Sequence, residues 1–320
     1  MFISTLLSAV SVLLPVLFVM ALGFLAGRTR QFDRDQVQGL NELVLTFALP
    51  ALLFVGIVTT PRSSLLAAGP FVLALLLAFV GLFVAVALVS VFVLHHGVGA
   101  AALQAISSVF SNVAFIGLPI LTPLFGSSST FAVAIAALVL QVTLVPLMVT
   151  MLEFDRQRSA GGKPRPVASL VGQSLLGSLK QPVVLAPLLA TILVLLGVAV
   201  PKEVESILNL IGSATSGVAV FVAGLIIAAY QIKVTVETVG NTLVKMIVQP
   251  ALMTLLVLGL GIGKPLGSEA ILICALPTAV VPAMLALRYK VYEAEAASTL
   301  LLTTLAMIVT LPIAIALTGA

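Results

Sequence analysis

The chain has 320 residues, of which 61% are hydrophobic and 8% charged, and its formal charge is +4. Soluble domains carry about 25% charged residues, so this chain cannot coat a water-soluble body of its size and reads as an integral membrane protein. Its basic residues are dealt out among short connections rather than gathered in a patch, which excludes a nucleic-acid surface, and two histidines with the lone Cys274 make no metal or nucleophile–base cluster. An enzyme is therefore not expected, nor a cofactor.

The first apolar stretch covers residues 6–27. Its positive charges (Arg28, Arg30, Arg34) follow it, the reverse of a secretory signal, so it reads as a retained helix. Further apolar stretches lie at 37–59, 70–94, 100–125 and 129–152. The longest polar segment, EFDRQRSAGGKPRPVA at 153–168, then forms a linker, with Gly161, Gly162, Pro164 and Pro166 as breakers. Five more stretches follow at 169–198, 204–230, 238–260, 268–289 and 294–317. Each is long enough for the roughly 20 residues a helix needs to cross a bilayer. The expected fold is thus all-α, with about ten transmembrane helices in two halves, 1–152 and 169–320.

An odd number of spans per half makes the halves enter the membrane in opposite directions, the arithmetic of an inverted repeat. The halves share an oddity in their fourth span. SVFSNVAFIGLPILTPLFG carries Pro119 and Pro123, and ILICALPTAVVPAMLALRY carries Pro277 and Pro282. Matched proline breaks point to a transport site, because interrupted helices inside a membrane persist only against protein or a wet cavity. Pro15, Pro50, Pro146 and Pro250 read as ordinary kinks.

Half-helix N-termini at such breaks offer free N–H groups and a positive dipole end, which suit a carboxylate. Asn112 is the clearest polar side chain in the first break and can donate to an anion or bond between helices; Ser111 and Thr278 add hydroxyls that can do the same or bond back within their helices. Lys245, about two turns inside its span, either snorkels to the interface or draws the anion in. Gln141 and Gln249 either line the cavity or link helices. His95 and His96 read as solvated residues of a short turn, and the eleven acids fall in loops or near span ends.

LLPVLFVMALGFLAGR, GLNELVLTFALPALLF, SNVAFIGLPI, LPTAVVPAMLALRYKV and STLLLTTLAMIVTLP, in that order, resemble segments of the auxin efflux carrier family over nearly the whole chain. The resemblance implies ten helices in two inverted five-helix repeats, a crossover fold similar to bile-acid symporters and sodium/proton antiporters. It also implies a scaffold and a moving part that carries a small organic anion in an elevator motion. Plant members move auxin, and bacterial members are associated with malonate and malate. The absent long cytosolic loop resembles the compact, prokaryote-like branch. The substrate-binding set expected from the breaks and the intramembrane polar residues is Ser111, Asn112, Gly117, Pro119, Gln141, Lys245, Pro277, Thr278 and Pro282. Val113 and Ala114 follow Asn112, where the family often has a small polar residue and a glycine, so the pocket is more apolar there. The expected partners are the substrate, the bilayer and a second copy of the chain in a homodimer. The competing readings are an anion channel and a non-transporting receptor.

If the ten-span order is right, the inside loops hold Arg28, Arg30, Arg34, Arg156, Arg158, Lys163, Arg165, Lys233, Arg288 and Lys290, and the outside loops only Arg62, Lys202 and Lys264. Both termini are then expected outside the cytoplasm of a cell membrane. Cysteines introduced at Ser159 and Ser268 should label from opposite faces; labelling from one face would break the inverted order.

Overall fold

The computed structural model describes residues 2–126, 128–159, 165–230 and 233–319. Those residues are helical with no strands. Helix α1 is Phe2–Arg28, α2 Arg34–Val58 and α3 Gly69–Phe92; α4 (Val98–Val109) and α5 (Val113–Phe125) are followed by α6, Ser128–Ser159. The second half holds α7 (Val167–Leu179), α8 (Pro182–Leu196), α9 (Lys202–Ala228), α10 (Val236–Gly259), α11 (Leu266–Ala275), α12 (Val281–Tyr289) and α13 (Glu293–Thr318). Helix thus occupies each of the ten apolar stretches. Among the described residues seven helices are long and apolar enough to cross a membrane, and an eighth is added if α7 and α8, bent by 75° at Lys180–Gln181, are one span. Exposed Leu, Ile, Val and Phe on these helices, such as Phe18, Leu210 and Leu258, suit a lipid environment.

The expected linker is partly helical. Helix α6 runs to Ser159, with Arg156 donating to Glu153 one turn earlier, because a charged helical end beyond the apolar run is stable in water. The linker's Gly161, Gly162, Lys163 and Pro164 lie outside the described residues.

The prolines act differently from their expected roles. A widened, π-type turn precedes each of Pro50, Pro119, Pro146 and Pro250, at 44–48, 113–117, 140–144 and 244–248. Proline lacks the N–H and clashes with the carbonyl four residues back, which in each case lies inside the widened turn. The ring is thereby accommodated without stopping the helix.

Helix α1 lies along α9, and α2 lies against α8 and α9. Of the interrupted helices, α4 lies between α3 and α6 and α11 between α10 and α13, while α5 packs on α9 and α1. Helices α13 and α6 also touch α1 and α2, respectively. The α1–α9 seam is set by glycine: a Cβ on Gly23 would fall 2.1 Å from Phe221 O, and one on Gly224 2.1 Å from Met20 O. Backbones approach this closely in membranes only across small residues.

Gly23→Ala should therefore push α1 off α9 and lower stability by about 1–3 kcal/mol, read as a lower thermal midpoint in detergent, whereas Gly81→Ala, with open space at its Cβ, should not. For the topology test Ser268 is a poor reporter because it is buried; Lys264, exposed in the same connection, is the position to use.

Candidate functional site

The two interrupted helices meet at their breaks. Residues 110–112 separate α4 from α5, and residues 276–280 separate α11 from α12. The extended pieces pair antiparallel at Ser111 and Thr278: Asn112 N donates to Pro277 O at 2.9 Å and Ala279 N to Phe110 O at 3.0 Å. Two unwound strands thus satisfy part of each other's backbone where lipid and water cannot.

The first break is not made by proline, which corrects its expected cause. Pro119 sits in the first turn of regular helix after the widened turn, and Pro123 sits inside that helix. The chain leaves helix at Phe110 and re-enters it after Asn112, whose Oδ1 accepts from Phe115 N as a cap. In the second break Pro277 does lie in the unwound piece, while Pro282 occupies the first turn of α12.

Each half-helix that ends at the crossing leaves C-terminal carbonyls without intrahelical partners. One turn of α10 supplies donors to both. Lys245 Nζ donates to Cys274 O at 2.9 Å, at the end of α11, and also to Ser111 Oγ at 2.9 Å and Gln249 Oε1 at 2.6 Å. Gln249 Nε2 donates to Val109 O at 2.9 Å, at the end of α4. An ammonium has three donors, and all three are used. Lys245 is fully buried, so it does not snorkel. Its stem is enclosed by protein, and its head faces the negative end of a helix dipole.

Thr278 ties the crossing on its other side: its Oγ1 donates to Ser107 O on α4, and its N–H to Thr303 Oγ1 on α13 at 3.2 Å. It therefore bonds between elements rather than back within a helix. Gly117 is buried where an added Cβ would come 3.2 Å from Leu276. Ser111, Asn112, Gly117, Lys245, Pro277 and Thr278 are thus gathered at one place. Pro119, in α5, and Pro282, in α12, flank the crossing. Gln141 sits in the widened turn of α6, half-buried, and no hydrogen bond joins it to the crossing among the described residues. Ser107 and Thr303 belong to the crossing without having been singled out in the sequence, whereas Gln249, read as lining the cavity or linking helices, does the second. For Gln249 the signal existed, since it stands one turn after Lys245 on the same face.

Charge at the crossing is one-sided. Among the described residues the ion pairs are His96–Glu237 and Arg156–Glu153, neither of which includes Lys245. His96 is not merely solvated: it also bonds Ser90 at 3.0 Å and packs edge-on to Tyr292.

The family model described as "Membrane transport protein" matches residues 8–315. The chain belongs to this family, the auxin efflux carriers. The Escherichia coli protein titled "Uncharacterized transporter YfdV" is 33% identical over 305 residues, spanning 94% of this chain and 95% of its own. The "Putative malonate transporter" of Rhizobium meliloti is 23% identical over 302 residues, 93% of this chain and 92% of its own. The "Lysosomal cholesterol signaling protein" of Mus musculus is 26% identical over 226 residues, 67% of this chain but 25% of its own. The transporter family and its members are membrane transport proteins rather than enzymes, and this member is integral to a membrane.

Loss of a buried donor at the crossing strands a carbonyl, at a cost of about 1–3 kcal/mol. Gln249→Leu, which frees Val109 O, should lower the thermal midpoint of this transporter clearly. Gln141→Leu should leave it nearly unchanged. Equal midpoints for the two variants would remove Gln249 from the crossing's framework.

Proposed function

We propose that the protein is a secondary transporter for a small organic anion, a carboxylate such as malonate, malate or an auxin-like acid. The observation that carries this reading is the buried ammonium of Lys245 at the crossing, with no carboxylate against it among the described residues. A buried charge without a counter-charge is costly, and a bound anion nearby offsets that cost. Lys245 acts through its field, strong in a low-dielectric interior, while the groups that touch the substrate are the positive half-helix ends after Asn112 and before Val281. Asn112 spends its oxygen on the cap and leaves its Nδ2 as a donor. The malonate title of the Rhizobium meliloti relative agrees in substrate class.

The halves 1–152 and 169–320 are read as inverted five-helix repeats, ten spans in all, with both termini outside the cytoplasm. Two exchanges of packing support this. The first span of one half lies on the second span of the other in both directions: α1 with α9, and α8 with α2. Breaks occur in the fourth span of each half. Those four spans are the natural scaffold, and the crossing with its neighbours is the part that moves past it, an elevator step. Such motion needs no change at the crossing itself.

The test is equilibrium binding of malonate, malate, succinate and indole-acetate to purified protein, followed by uptake in proteoliposomes. A carboxylate should bind, and Lys245→Gln should weaken it by roughly tenfold or more, the effect of losing one unit charge that acts across several ångströms of low-dielectric interior. It should also reduce the preference for a dianion over a monoanion. Transport of a neutral or cationic solute with no competition from carboxylates would sink the proposal.

A further inference from the structure

A second buried polar cluster lies away from the crossing, where α11 begins against the α5–α6 connection. Glu269, in the first turn of α11, is fully buried. Ser128 Oγ donates to its Oε1 at 2.7 Å, but its Oε2 is buried and has no hydrogen-bond partner among the described residues. Ser128 leads on to further oxygens of the turn that joins α5 to α6, where Thr122 and Gly126 are exposed. Ser128 Oγ also approaches Phe125 O at 3.1 Å, and Ser129 Oγ lies 2.6 Å from Gly126 O and 3.2 Å from Thr122 Oγ1. Ser129 is itself fully buried.

The charge balance of this cluster is negative. The ion pairs among the described residues do not include Glu269. The N-terminal end of α11 offers at most about half a positive charge, and Phe125 O and Gly126 O belong to the C-terminal, negative end of α5. A buried carboxylate must be paired, neutralised or bound to a metal. The polar groups of Ser128 and its turn are hard oxygens of hydroxyl and carbonyl type, which with the carboxylate make the donor types of a hard cation. A single carboxylate balances one charge, which fits a monovalent ion.

We propose that Glu269, with Ser128, Ser129, Thr122 and the carbonyls of Phe125 and Gly126, forms a binding site for a monovalent cation, with sodium as its natural occupant. The ion clamps the start of α11 to the end of α5 and the start of α6. From Glu269 to the end of α11 is about 9 Å of rigid helix, so occupancy holds the end whose Cys274 carbonyl meets Lys245. That last step, coupling of the cation to anion transport, rests on the function proposed above. The binding itself does not, and it is tested without any substrate.

The experiment is thermal unfolding of the purified full-length protein in detergent at fixed pH, with sodium chloride replacing choline chloride at constant ionic strength. The expected result is a saturable rise of a few degrees with sodium, abolished by Glu269→Gln and reduced by Ser129→Ala. No difference between sodium and choline, or a rise that survives Glu269→Gln, overturns the proposal. So does a midpoint that responds to pH alone, which would make the site one for a proton. Should Glu269→Gln fail to fold, binding of radioactive sodium to Ser129→Ala and Thr122→Val decides: affinity weakened several-fold supports the site, and wild-type affinity in both overturns it.

Discussion

A membrane interior offers no water to an interrupted helix, and this constraint shapes the centre of the molecule. Two helices stop and restart at the same spot, which leaves carbonyls and N–H groups that must find partners inside protein. The carbonyl ends are answered by Lys245 and Gln249, which reach Cys274 O and Val109 O from one helix. The strands between are answered by each other through Ser111 and Thr278. With those needs met internally, the half-helix N-termini are the ends that the proposed function assigns to the ligand.

The division of labour between the two helix ends has an electrostatic logic. C-terminal ends are negative and take the cationic or amide side chain; N-terminal ends are positive and, in the proposed function, take the substrate anion. In that proposal Lys245 serves both, since it neutralises a carbonyl end and adds a positive field to the region assigned to the anion. A neutral residue of similar shape would serve the first purpose and not the second.

Much of this was legible in the sequence, and the failures have physical causes. Ten apolar stretches and their order follow from length and hydropathy, and the matched prolines marked the fourth stretch of each half as interrupted. The seat of the first interruption did not. Pro119 looked decisive because proline removes a donor, yet a widened turn absorbs its ring, and Asn112 marks the real discontinuity by capping the helix that follows. The fate of Lys245 was equally hidden. Depth along a span was readable, but enclosure depends on Ser111 and Cys274, 134 and 29 residues away in the chain. Glu269 lies near a span end, where an acid is unremarkable; its burial comes from Ser128, 141 residues distant.

The widened turn at 244–248 has a geometric consequence for α10. Asn241 accepts from Gln104 and Gln249 donates to Val109 O, so both side chains must face α4. In a regular helix eight residues leave two side chains roughly 80° apart around the axis. The one residue taken up by the wide turn sets the later part back by about 100°, which brings the two within about 20° of each other. Proline at 250 thus does more than kink: the extra residue it calls for acts as a phase correction, letting a single straight element present one continuous polar edge across a distance at which regular winding would have turned it away.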